Sequence, residues 1–226
     1  MPRKSKFIWD AEDAAGLVII PPEGLPLPEE PRSLKGMHER AYRRTLLNEP
    51  HMAPLKEFVE QLRREDRGFV PNFDPLDGGT GARLLFLMEK PGPKTDEYVA
   101  GGSGFISRDN DDQSAAATFT FMRQARIPRE DVAIWNSIPW WNGIVKTSPE
   151  ERSEGLLRLE PLLELLPRLQ GVVLVGQKAS RAANILALRN LKVWHSAHPS
   201  PRVRARYPDQ HAEIPRTWAA AAASLS

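Results

Sequence analysis

The stretch GVVLVGQKASRAANILALRNLKVWHSAHPSP, residues 171–201, decides how this chain is read. It opens with a short, nearly uninterrupted apolar run, GVVLVG (171–176), and returns to a second, LKVWHS (191–196). Runs of this kind are expected of strands covered on both faces, where there is no solvent side to demand alternating polar residues. Residues 178–189 between them carry a helical pattern. Strand, helix and strand in succession predict a parallel pair joined by a crossover. The stretch ends in His198-Pro199-Ser200-Pro201, where two prolines and a serine stop any strand or helix. The histidine is therefore held on a stiff turn, with Arg202, Arg204 and Arg206 following. Such a turn suits a place where an anion is formed or gripped.

The same alternation extends upstream. RLLFLM (83–88) and VAIWN (132–136) read as two more strands, and residues 112–126 and 149–168 as helices. The second of these helices begins at Ser148-Pro149-Glu150-Glu151, a capping box with proline at the first helical position. TWAAAAASL reads as a final helix. The expected architecture is a three-layer α/β/α sandwich with a central four-stranded parallel sheet. Residues 33–66 read as two helical pieces split near Pro50, preceded by a proline-rich extended arm at 21–31 and followed by a loop at 68–82. Residues 1–66 are thus expected as an arm and helical extension packed on a domain of residues 67–226, the two forming one structural unit.

Among the 226 residues there is no cysteine, which excludes disulfides, zinc–thiolate sites and iron–sulfur clusters. The net charge is only +2, so a nucleic-acid partner has to be argued from local clustering rather than from the total. The basic start MPRKSK is followed too soon by Asp10, Glu12 and Asp13 for a signal peptide, and no apolar stretch approaches a membrane span. A cytoplasmic monomer with no membrane partner is expected.

In a parallel α/β sheet, ligands bind beyond the carboxyl ends of the strands. The segments there are MEKPGP, GGSGFISRDNDD, WNSIPWWNG, GQKAS and HSAHPSP. Met88-Glu89-Lys90-Pro91-Gly92, Phe105 in GSGFISR, Asn136 in AIWNS, and His198-Pro199-Ser200-Pro201 stand in the order and spacing of a known set. In this the chain resembles the uracil-DNA glycosylase superfamily over residues 83–205. The resemblance implies hydrolysis of the N-glycosidic bond of deoxyuridine in single- or double-stranded DNA, releasing uracil without a metal or organic cofactor. It implies that a nucleotide is swung out of the stack into a pocket. There Phe105 stacks on the base, and Asn136 reads the N3–H and O4 edge that cytosine presents in the opposite sense. His198 donates to O2, where negative charge develops as the bond breaks.

This sequence also departs from the family. Lys90 stands where the best-studied branch has Asp and others have Asn, the residue that positions the attacking water. Glu89 is the nearest carboxylate for that task, and Asp109, Asp111 and Asp112 are further candidates, while Lys90 is free to contact a phosphate. Gly92 replaces the family's Tyr, which walls off the methyl of thymine. Backbone N–H groups of the Lys90–Gly92 turn are expected to bond base or water. Ser200, Pro201 and the three arginines are expected on the DNA backbone, with Arg202, Arg204 and Arg206 on one side if the segment is extended. Other readings stay open: a glycosylase for another deaminated base, a non-catalytic binder of single-stranded or abasic DNA, and, in a different class, a small-molecule hydrolase on the same fold, which predicts no salt-dependent DNA binding.

Other motifs carry less. Trp140-Trp141 either offers a platform for an exposed base or packs a turn. His195-x-x-His198 lacks further metal ligands. GGSG (101–104) is not a nucleophile elbow, and GGTGAR (78–83) lacks the Lys-Ser/Thr of a phosphate loop.

Overall fold

The computed structural model describes residues 30–225. Most of the proline-rich arm expected at 21–31 lies outside them. In chain order the elements are α1 (Met37–Thr45), α2 (Ala53–Arg63), β1 (Asn72–Phe73), β2 (Leu84–Met88), β3 (Phe105–Ile106), α3 (Gln113–Gln124) and β4 (Val132–Asn136). Then follow α4 (Pro149–Leu156), α5 (Leu159–Glu164), β5 (Gly171–Val175), α6 (Ala183–Ala187), β6 (Lys192–Ser196), α7 (Pro201–Arg206), α8 (Pro208–Ala212) and α9 (Ile214–Ala223).

The four predicted strands form one parallel sheet in the order β4-β2-β5-β6, flanked by helices. β2, β4 and β5 are fully enclosed, as their unbroken apolar sequences require, apart from Met88 at the end of β2. The pleat divides their side chains between two layers. Phe86 meets Trp218 of α9 edge-on, with ring centroids 4.9 Å apart, and Trp218 also faces Phe121 of α3. One strand over and out of phase, Trp135 stacks on Phe73 at 3.9 Å and meets Phe58 of α2. Ile134 and Asn136 therefore lie on the α3–α9 side of β4, while Trp135 lies on the α2 side. Leu34, Leu47, Leu55, Phe58 and Val59 of the N-terminal segment belong to the same hydrophobic core as the sheet.

Several element limits differ from expectation. The loop at 68–82 contains β1, which pairs in parallel with β3 as a separate two-stranded sheet. The helix expected over 149–168 breaks into α4 and α5, because Pro161 has no N–H to give the Leu157 carbonyl. The pattern at 178–189 resolves into a 3-10 turn, Ala179–Ala182, and the short α6. Ser200-Pro201, expected to end structure, starts it: Ser200 Oγ accepts from the Val203 amide, and Pro201 takes the first position of α7.

Candidate active site

A cavity of about 340 Å³ opens at the carboxyl ends of the strands on the α3 side. Its walls are Met88 at the end of β2, Ile134 and Asn136 at the end of β4, His198 beyond β6, the Lys90–Thr95 turn, and residues from the segment Ile106–Ala115. The size falls at the lower end of small-ligand pockets, about 300–1,000 Å³.

Asn136 reaches the cavity because it is the last β4 residue on the α3 face, and it is only 4% exposed. His198 stands at the start of the His-Pro-Ser-Pro turn and is half-buried, beside the buried Pro199. Its backing is Gly176, held at φ +88°, where any added Cβ would come within 3.3 Å of the His198 Cβ. Burial pushes the imidazole below its ordinary value, against the opposing pull of Asp112 and Glu89. A neutral imidazole at physiological pH is a hydrogen-bond donor that adds no full charge to the pocket.

The turn between β2 and its neighbours is held from outside the cavity. Lys90 lines it, but the ammonium is committed elsewhere: Nζ bonds Glu151 at 2.6 Å, Asn142 Oδ1 at 2.8 Å and the Ile144 carbonyl at 3.0 Å. The expected phosphate contact is thereby corrected, because a 5% exposed ammonium in this cage ties the first motif to the loop after β4. Glu89 is not on the cavity wall. Its carboxylate accepts from Thr147 Oγ1 at 2.8 Å and pairs with Lys178 at 2.8 Å, so it acts on His198 only as a nearby charge. Pro91 and Gly92 do line the cavity, and a Cβ built on Gly92 would meet nothing within 4 Å.

Phe105 requires the largest correction. Its ring is fully buried in the core and forms no part of the cavity wall, whereas Ile106, the next residue, does. Adjacent strand residues point to opposite faces, and β3 turns Phe105 inward. The Phe105 contribution to the site is its backbone carbonyl, which accepts from Asn110 Nδ2 at 2.9 Å. Trp140 and Trp141 are also buried, and Trp140 Nε1 donates to Glu151, so the pair packs the loop.

Behind the segment 105–112 lies a buried network of opposite charges. Asp74 accepts from Arg43, from Ser107 Oγ and, at 2.7 Å, from Arg129. Asp109 pairs with Arg43 at 2.6 Å and Arg129 at 3.0 Å, and Asp77 pairs with Arg108 at 3.1 Å and Arg129 at 3.0 Å. Arg43 and Arg129 hold the Asp74 carboxyl below the usual carboxylate range despite its complete burial. Burial pushes Asp77 the other way, to about 6, although Arg108 and Arg129 oppose it. Ser107 and Arg108 belong both to this network and to the cavity wall. The network thus fixes the segment that carries Asn110 and Asp112.

The arginines after His198 are exposed, but α7 corrects their expected arrangement. At helical spacing Arg202 and Arg206 share a side and Arg204 does not. Arg204 instead lines a separate groove with Arg32, Gln113, Pro199, Pro201 and His211.

Asn110 and the buried ion network are absent from the sequence reading. The one signal was density: RDNDD places five polar residues between a short strand and a helix start. Among the described residues, no cluster of His, Asp and Glu is arranged to hold a metal ion, and no helix is long and apolar enough to cross a membrane. No curated protein matches the chain. The family model of the Uracil DNA glycosylase superfamily matches residues 76–222.

Proposed function

The chain belongs to the uracil DNA glycosylase superfamily, and from that premise we propose that it excises uracil from DNA by hydrolysing the N-glycosidic bond. The family makes it a DNA glycosylase acting in base excision repair; the choice of uracil is the finer reading. The observation that supports it is that Asn136 and His198, from opposite edges of the parallel sheet, open on one cavity of about 340 Å³. A buried amide offers an acceptor to N3–H and a donor to O4 of uracil, and leaves those groups unpaired against cytosine. A neutral imidazole donates to O2 as the bonding pair moves onto the base, so that the anion is stabilised where it forms. Ile106 contributes an apolar wall for the base in place of the ring expected at Phe105.

A uracil-release assay on single- and double-stranded oligonucleotides tests this, with enzyme in excess over substrate. Asn136→Ala and His198→Ala are expected to lower single-turnover excision by about 100-fold or more, the scale of removing one donor from an anion-stabilising site. Wild-type rates in both variants would end the assignment.

A second reading has its own support. The space beside Gly92 is open, so bases carrying a group at the ring position that uracil leaves bare are also accommodated. Release of thymine or of another deaminated base from a lesion panel, faster than release of uracil, would favour it.

A further inference from the structure

The uracil reading leaves one chemical requirement unassigned, the nucleophilic water. Lys90, at the family's water-positioning place, is turned away into its cage with Glu151. Glu89 is taken by Thr147 and Lys178, Asp109 by Arg43 and Arg129, and Asp111 faces Arg32 at 3.7 Å. A water that attacks carbon has to give both hydrogens to acceptors, so that a lone pair points at the carbon.

Two neighbouring residues on the cavity wall, Asn110 and Asp112, each keep an oxygen for this task. Asn110 is 2% exposed. Its Nδ2 donates to the Phe105 carbonyl, which fixes the amide, since the reversed orientation would set two carbonyl oxygens against each other. Its Oδ1 is buried without any donor among the described residues. Leaving a buried acceptor unmet costs about 1–3 kcal/mol, and this one belongs to a residue that lines the cavity, where a donor from outside the chain can enter. Asp112, two residues on, lines the same cavity. Its Oδ1 caps α3 by accepting from the Ser114 and Ala115 amides at 2.8 and 2.9 Å. No hydrogen bond among the described residues holds its Oδ2.

We propose that Asn110 Oδ1 and Asp112 Oδ2 together hold the attacking water, with Asp112 accepting its proton. This rests on the glycosylase reading above. In the step, the water oxygen bonds to C1′ of the deoxyribose as the C1′–N bond breaks. The bonding pair leaves on the base, where His198 meets it. One proton of the water passes to Asp112, the hydroxyl stays on C1′, and the base anion takes a proton from solvent. The buried ion network enters as positioning machinery, since Ser107, Arg108 and Asp109 clamp the segment that carries both acceptors.

The test is single-turnover excision together with DNA binding and thermal unfolding. Asp112→Asn keeps a good helix cap and removes the charge. It is expected to slow excision by about 100-fold, within the range for a positioned acid or base, with the unfolding midpoint and the Kd for uracil-containing DNA unchanged. Asn110→Ala is expected to slow excision with Kd likewise unchanged, and the double variant to be little slower than Asp112→Asn, as for two groups acting on one water. An active wild type with Asp112→Asn cutting within about threefold of it overturns the water site alone. If Asn110→Ala weakens DNA binding and leaves the chemical rate intact, its acceptor faces the base and the shared site is likewise overturned. A wild type that releases no base from any lesion sinks the glycosylase reading and this assignment with it.

Discussion

Replacing Asp74 by Asn removes one negative charge from the centre of the buried network and changes almost nothing in volume. Asp74 is 2% exposed, and it accepts from Arg43, Arg129 and Ser107 through one oxygen and from the Leu76 amide through the other, at 3.0 Å. An asparagine cannot serve all four. With its oxygen toward Leu76, its NH₂ confronts two guanidinium groups; with its oxygen toward the arginines, its NH₂ confronts the Leu76 N–H. An exposed ion pair is worth only about 0.2–1 kcal/mol, but Arg43 and Asp74 have side-chain exposures of 2% and 0%. The relevant figure is therefore the cost of stranding a buried charge, about 3–5 kcal/mol. At about 2–4 °C per kcal/mol for a chain of this size, the midpoint should fall by roughly 6–20 °C. The assay is urea and thermal unfolding of wild type and Asp74→Asn at pH 7.5, followed by base excision well below the lowered midpoint. Excision should fall as well, because Ser107 loses the partner that holds the cavity wall. A stability change under about 1 kcal/mol would show that water reaches these arginines, and the claim of a dry, clamped network would be wrong. The sign with pH follows from the depressed Asp74 value: its contribution is present above the unfolded carboxylate range and is lost as pH falls through the folded one.

Asp77 has the opposite sign: with its folded value at about 6 against an ordinary 3.8, its contribution is full below 3.8 and lost as pH rises through 6. Urea unfolding of wild type and Asp77→Asn between pH 4 and 7.5 should show wild type losing up to about 3 kcal/mol relative to the variant, at 1.36 kcal/mol per pKa unit; parallel curves would refute this. Because burial holds His198 below its ordinary 6.5, the single-turnover rate should fall on acidification with a midpoint below 6.5. A midpoint at or above 6.5 would mean that the imidazole is solvated. Gly92→Tyr should fold as wild type, since the backbone there is extended and the space is open. It should reduce release of thymine relative to uracil in a paired-substrate assay, and an unchanged ratio would place the methyl elsewhere.

The parts of this molecule legible in sequence are those whose signal is local. Leu84–Met88, Val132–Asn136 and Gly171–Val175 are buried on both faces, and continuous apolar runs follow from that directly. Once the strands are placed, the rule that sites lie beyond their carboxyl ends brings Asn136 and His198 to one cavity. Phe105 shows where local signal stops. In β3 the neighbours Phe and Ile are both apolar, so composition carries no parity, and a one-residue choice decides which side chain meets the ligand. The arginines after His198 failed for a related reason: Ser200-Pro201 reads equally as a stop and as a helix cap, and only the Val203 amide decides between them. The ion network was invisible because its partners are distant in the chain: Arg43 is 31 residues from Asp74 and 66 from Asp109, and Arg129 is 55 from Asp74. Arg43 belongs to a strongly polar helix, MHERAYRRT, that locally reads as solvated. Its burial is a tertiary fact. The consequence is a division of labour in the chain. The groups proposed to touch the base stand at the ends of locally encoded strands. The groups proposed to hold the water stand on a segment whose shape is set by charges contributed from α1, from the turn after β1, and from the loop before β4. A substitution in any of those three places should therefore alter the chemical step without touching the cavity wall.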